Sequence, residues 1–194
     1  MKKFLNKNKI IFTAISTHDG EELLCAKVHK DLKRKFKNII SIIIPRHIHR
    51  AQEIKEELNQ IGLNVYIHSS YKNIPNDTDI YLVDTFGETK YFLKLSKIAF
   101  IGKSILGYGG QNPIEAARLG NRIIHGPNIE NFVEVYNFLK KHQISTKIKS
   151  HKDMEKLIIK FNRKKNYSNQ IIKKLAYTGK QILLNNEKEI NKYF

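Results

Sequence analysis

Tryptophan is missing from this chain, and cysteine occurs once, at Cys25. A single thiol excludes an internal disulfide framework, so the fold must rest on apolar burial, and it fits a reducing compartment. Proline is scarce, and no linker rich in Pro, Gly or Ser divides the 194 residues. No window nears the roughly 18 uninterrupted apolar residues of a membrane-spanning helix. The opening MKKFLNKNKIIFTAIS is basic and then apolar. Its apolar run of about seven residues enters STHDGEE without a small-residue cleavage site, so a first strand is expected rather than a signal peptide. Several catalytic signatures are also missing. There is no G-x-S-x-G elbow, no H-E-x-x-H, no Cys/His cluster and no Walker-type glycine run before a G-K-[ST]. Serine-hydrolase chemistry, a bound metal and ATP hydrolysis are therefore not expected.

Acids are the minority charge, 18 against 35 Lys and Arg, for a formal +17. Residues 147–194 hold 13 Lys and Arg and 4 Asp and Glu, so about +9 lies in the last quarter. Such a surface attracts nucleic acid or an anionic membrane. A basic motif interleaved with aromatics, of the kind that stacks bases, is absent, so nucleic acid is not an expected partner. Contact of the basic tail with an anionic membrane stays open beside a compositional reading, since Lys, Asn and Ile are abundant throughout.

What is present is an alternation. Short apolar, β-branched runs lie at 10–16, 38–45, 63–68, 79–84, 97–102 and 122–126, with a weaker one at 145–149. Amphipathic stretches fall between them at about 19–36, 49–61, 88–96, 112–120 and 130–142. Runs that are apolar throughout are buried on both faces, as in a parallel sheet covered by helices. The expected fold is α/β, a Rossmann-like doubly wound parallel sheet over residues 1–150. Residues 151–194 are expected to form a basic helical tail that packs on that domain or crosses from it.

In such a sheet ligands bind beyond the carboxyl ends of the strands. The distinctive segments fall there: STHDGEE, PRH, DTFGE, GKSILGYGGQNPIE and GPNIENF. In GYGGQNPIE, Asn112 and Pro113 suit a helix start, and Asn112-x-x-Glu115 has capping-box spacing. Capping does not account for Gly107, Gly109 and Gly110, which allow backbone to approach a ligand closely. With a helix N-terminus beside them the pocket favours anions, and Glu115 is placed to accept from ribose hydroxyls. Thr85-x-x-Glu88 repeats the capping spacing, while Phe86 and Gly87 would meet a base or sugar. Arg46, just past a strand, offers a planar fork for phosphate or a surface ion pair. His47 would assist it or cap. Ser16, Thr17 and His18 precede acids that favour a helix start.

Taken in order, STHDGEE, PRH, DTFGE, GGQNPIEAARLG and GPNIENF resemble the C-terminal half of the Kdo transferases. That family transfers 3-deoxy-D-manno-octulosonic acid (Kdo) from CMP-Kdo to lipid A precursors in lipopolysaccharide biosynthesis. The resemblance is close over about residues 10–142 and loose in the tail. It implies a GT-B glycosyltransferase whose C-terminal Rossmann-like domain holds the donor, without a metal or other cofactor. Carried over by motif, Pro45, Arg46, Phe86, Gly87, Glu88, Asn112, Pro113, Ile114 and Glu115 would line the CMP site, with Arg46 on the phosphate. Ser16, Thr17, His18, His47, Gly109, Gly110 and Gln111 would stand around the donor pocket. The family's N-terminal half carries the acceptor-binding domain, the catalytic carboxylate and a membrane-associating segment, and no counterpart is found here. The expectation is thus one piece of a split transferase, a truncated chain or the product of a decaying gene, weakly binding and inactive alone; as a split transferase it would pair with a separate N-terminal half at the cytoplasmic face of the inner membrane. By itself the fragment would be cytoplasmic. A noncatalytic nucleotide-binding remnant or interaction module, or a GT-B domain for another nucleotide sugar, is the alternative. The chain departs from the family at Asp19 for Glu, at His49 for an acid, at Phe86 for Met and at Lys103 for Gly.

Overall fold

The computed structural model describes residues 9–70, 74–162 and 169–178. Seven strands appear in chain order: β1 (Ile10–Thr17), β2 (Ile39–Pro45), β3 (Val65–Ile67), β4 (Ile80–Leu82), β5 (Ile98–Ile101), β6 (Arg122–His125) and β7 (Ser145–Lys147). They form a single sheet in the order β3-β4-β2-β1-β5-β6-β7, with every neighbouring pair parallel. All seven apolar runs read from the sequence are strands of this sheet. The two halves wind outward from β1, so the order reverses between β1 and β5. A cleft opens at that position in doubly wound sheets.

Helices α1 (Glu21–Lys35), α2 (Ala51–Gln60), α3 (Thr89–Leu95), α4 (Ile114–Arg118), α5 (Val133–Lys141) and α6 (His151–Asn162) supply the crossovers and one later layer. Residues 169–178 are also helical. One core joins α1, α2 and α6 to the sheet through Leu32, Ile54, Leu58, Met154 and Ile158. The other joins α3, α4 and α5 through Phe92, Leu93, Ala117, Tyr136 and Leu139, with Ile171 and Leu175 against it. Every residue of β2, IISIIIP, is buried, which explains why its sequence is apolar rather than alternating. Each such isoleucine contributes about 1.5–3 kcal/mol by leaving water. Among the described residues no helix is long and apolar enough to cross a membrane.

A buried polar cluster sits near the amino ends of the strands. Asp79 accepts from His29 Nε2 at 3.3 Å and from the Asn64 amide at 3.0 Å, and pairs with Lys33. His29 Nδ1 lies 2.8 Å from Ser41 Oγ. Burial alone would raise the Asp79 pKa, but the bonds from His29, Lys33 and Asn64 outweigh it and hold the carboxyl well below its ordinary range. On the same edge, Lys30, Lys33, Arg34, Lys37, Gly62 and Leu63 line a hollow of about 270 Å³.

Candidate functional site: the carboxyl edge of the sheet

The loops leaving β1, β2, β4, β5 and β6 meet at the carboxyl edge, and hydrogen bonds hold each one to a neighbour. β1 ends in a register shift against β2 between Ile15 and Thr17, where Ser16 takes a left-handed φ of 52°. The Arg46 amide donates to Thr17 O at 2.9 Å, which ties the PRH segment to the β1 end. Gly102 closes on the other side, donating to Ile15 O at 2.8 Å. A Cβ at Gly102 would stand 2.2 Å from Ser16 O, so only glycine allows β1 and β5 to approach so closely.

Glu21 fastens this junction. Its carboxylate is fully buried and accepts four amide hydrogens: His18 at 3.0 Å, Lys103 at 2.6 Å, Ser104 at 3.0 Å and Ile105 at 3.0 Å. The sequence had offered it only as a helix-start acid. Glu22, also buried, has no hydrogen-bonded carboxylate oxygen among the described residues, and Arg50 Nη1 stands 3.7 Å away. Burial raises the Glu22 pKa, against the opposing pull of its own backbone amide, then Thr17, then Arg50. Arg50 also reaches Asp19 at 2.7 Å and Glu53 at 3.6 Å, so three carboxylates gather on one guanidinium. Arg50 and Glu21 escaped the sequence reading because most of their partners lie far along the chain.

Arg46, His47 and His49 are exposed. The His47 ring is 5.4 Å from that of His18, edge to face, and 5.7 Å from that of His49. The half-buried His18 has a lowered pKa, first from burial and then from His47, Lys103 and Arg46, against an opposing pull from Glu21. Among the described residues no group of three or more His, Cys, Asp or Glu is arranged to hold a metal ion.

Beyond β4, Phe86 is 80% exposed and Gly87 has φ 81° with open space where a Cβ would stand. Thr85 Oγ1 donates to the Glu88 side chain itself, so the capping-box spacing here yields a side-chain pair rather than a box. Glu88 also meets His68 Nε2 at 2.9 Å, and His68 Nδ1 lies 2.8 Å from the Tyr81 hydroxyl. Burial pushes the Tyr81 pKa up to about 12. His68 therefore orients Glu88, a role no sequence motif signalled.

The glycine loop has a structural reason of its own. Gly109 and Gly110 have φ 91° and 69°, and each packs on the loop after β6. A Cβ would lie 2.6 Å from Asn131 Nδ2 at Gly109 and 2.8 Å from Asn128 O at Gly110. The Gly109 amide donates to Glu130 at 2.8 Å, and Asn128 Nδ2 donates to Gly107 O at 2.5 Å and Ile105 O at 3.1 Å. GPNIENF is thus a clamp on GYGG. Tyr136 extends it, donating to Gln111 O at 3.0 Å while its ring packs 4.2 Å from His125. Asn112 Oδ1 accepts the Ile114 amide at 3.0 Å. Glu115 does not close a box with Asn112; it is half-exposed and pairs with Lys90 at 3.5 Å, which sets the NPIE and DTFGE loops side by side. α4 has only five residues, too few for a strong terminal dipole. Side chains, more than this helix, carry the charge of the edge.

Two sets of similar proteins bear on this edge. The 3-deoxy-D-manno-octulosonic acid transferase of Haemophilus influenzae is 30% identical over 154 residues, covering 79% of this chain and 36% of the relative. That of Rickettsia felis is 32% identical over 149 residues, covering 77% and 32%. By sequence, this chain is a relative of the Kdo transferases. It spans about a third of the length of the curated relatives it matches. The Kdo transferase likeness extends to shape: the C-terminal CMP-Kdo binding domain of WaaA from Acinetobacter baumannii superposes with a TM-score of 0.79 at 23% identity, covering 86% of each chain. An O-GlcNAc transferase from Thermobaculum terrenum superposes more distantly, with a TM-score of 0.55 at 9% identity over 90% of this chain and 34% of that one. The fold is thus the GT-B-like Rossmann domain that the sequence led us to expect. No protein-family model matches the chain.

Proposed function

We propose that this edge binds CMP-Kdo and that the chain is the donor-binding half of a Kdo transferase. One observation carries the reading: the strand-end segments that resemble these enzymes meet at one edge, where Arg46 has no ion-pair partner among the described residues and Glu88 and Glu115 lie on two adjoining loops. Arg46 is suited to the phosphate, as a fork that forms two parallel hydrogen bonds. Glu115, half-exposed, would exchange Lys90 for ribose hydroxyls. Phe86, exposed beside Gly87, offers a face to the base, and Pro45, Pro113 and Ile114 complete the apolar lining.

Transfer would proceed by attack of a lipid A precursor hydroxyl on the anomeric carbon. A carbon–oxygen bond forms, the bond to the phosphate oxygen breaks, and CMP leaves with the electron pair. The hydroxyl proton passes to a base outside this chain, supplied by an acceptor-binding half. Arg46 stabilises the phosphate charge as it develops, the largest contribution a donor domain makes to such a step. A basic tail that touches anionic lipid would hold the pair peripherally at the cytoplasmic face of the inner membrane.

Calorimetric titration with CMP, UDP and GDP tests the reading. CMP should bind tightest, and Arg46→Ala should weaken it while thermal unfolding stays unchanged. A preference for UDP, or full CMP affinity in the variant, would reject it.

A further inference from the structure

Two cations at the carboxyl edge stand apart from its acids. Asp19, Glu22 and Glu53 converge on Arg50, and Glu21 is enclosed by amide hydrogens. The side chains of Arg46 and Lys103 have no ion-pair or hydrogen-bond partner among the described residues, and the exposed His47 has ring contacts only. Arg46 and Lys103 therefore hold their charge at the cleft without an acid of their own among the described residues. That charge contributes to the lowered pKa of His18, after burial.

Lys103 is the least expected member. It sits at φ 56°, a left-handed conformation that is unfavourable for a residue with a Cβ. Glu21 keeps it there: one carboxylate oxygen accepts both the Lys103 amide at 2.6 Å and the His18 amide at 3.0 Å, so the β1 and β5 loops stand next to each other. The lysine stem passes over Gly107, where a Cβ would be 2.6 Å from Lys103 Cγ. A strained backbone and a yielding neighbour thus place a lysine at the β1–β5 junction, where glycine would fit without strain.

We propose that Lys103 and His47 bind the carboxylate that a 2-keto sugar acid carries on its anomeric carbon, leaving Arg46 to the phosphate. This rests on the donor reading above and makes it more specific. In a CMP-linked sugar acid the anomeric carbon bears both the carboxylate and the phosphate ester, so two anions lie side by side and call for two adjacent cationic groups. A nucleoside diphosphate offers a second anion too, but on phosphorus.

The test is calorimetry on the 194-residue chain with CMP, CMP-Kdo and CDP, for the wild type, Lys103→Gly and Lys103→Arg. Glycine suits the left-handed backbone, so Lys103→Gly should fold with an undiminished thermal midpoint. It should keep CMP affinity within about twofold and lose about tenfold or more on CMP-Kdo, the scale of one charge-assisted hydrogen bond, with Lys103→Arg restoring most of it. Equal losses on CMP and CMP-Kdo would assign Lys103 to the phosphate and overturn the proposal, as would no loss at all. A gain for CDP over CMP that matches CMP-Kdo and vanishes in Lys103→Gly would also overturn it, since the site would then accept any second anion. Wild-type protein that prefers UDP would instead reject the donor reading itself.

Discussion

Replacing Glu21 by glutamine alters one atom and tests the junction on which the whole edge depends. The carboxylate has two oxygens, one accepting from Ser104 and Ile105 and the other from His18 and Lys103. Glutamine keeps one acceptor and turns an N–H₂ toward two amide donors. A hydrogen bond to a charged group is worth about 1.5–3 kcal/mol, and a buried donor left without a partner costs about 1–3 kcal/mol. With two bonds lost and the other two reduced to neutral ones, the expected destabilisation is about 3–5 kcal/mol. For a chain of this size that lowers the thermal midpoint by roughly 6–20 °C. Urea denaturation followed by circular dichroism gives the free energy. Hydrogen exchange of the Lys103, Ser104 and Ile105 amides reports the junction directly, and these should exchange faster while amides in β2 keep their order of protection. A midpoint within about 2 °C of wild type, with those three amides still protected, would refute the reasoning.

Other perturbations follow from the same contacts. Gly126→Ala places a Cβ 2.0 Å from the Ser104 backbone oxygen and should prevent stable folding, whereas Gly87→Ala meets no neighbour and should lose only about 1 kcal/mol through its positive φ; comparative urea titrations separate the two. Arg50→Met removes the nearest cation from buried Glu22 and should cost about 3–5 kcal/mol at neutral pH. Because the folded Glu22 pKa is raised, and loss of Arg50 raises it further, the folded state takes up a proton there before the unfolded one, so the deficit should shrink as pH falls toward the ordinary carboxylate range, as a pH series of melts would reveal. Asp79 has the opposite sign: its folded pKa is depressed, so its stabilisation is complete above about pH 4 and fades as pH falls further, and Asp79→Asn should flatten that acid limb.

The sheet was legible because burial on both faces leaves a local trace: IISIIIP and KIAFIG are apolar without alternation, whatever surrounds them. Helix ends were less so. The NPIE helix, expected over 112–120, spans Ile114–Arg118, since Pro113 takes helical angles only as the residue before it. The site was legible as a set of strand-end loops but not as a set of contacts. GYGG reads as room for a ligand, yet two of its glycines are required by the loop after β6. Little in STHDGEE distinguishes Glu21, three of whose four partners lie 82–84 residues ahead, from Glu22 beside it, whose counter-ion is Arg50. Capping spacing misled in both places, because Thr85 bonds the Glu88 side chain and Glu115 turns to Lys90. Propensity describes what a helix start prefers, and neighbouring loops overrode it.

The last described helical segments lie on different sides of the sheet: Met154 and Ile158 of α6 join the α1 and α2 layer, and Ile171 joins the α5 layer. Each layer thus draws one of its late helices from the end of the described chain. Truncation after α6 would strip apolar cover from the α5 side alone and leave the opposite flank closed.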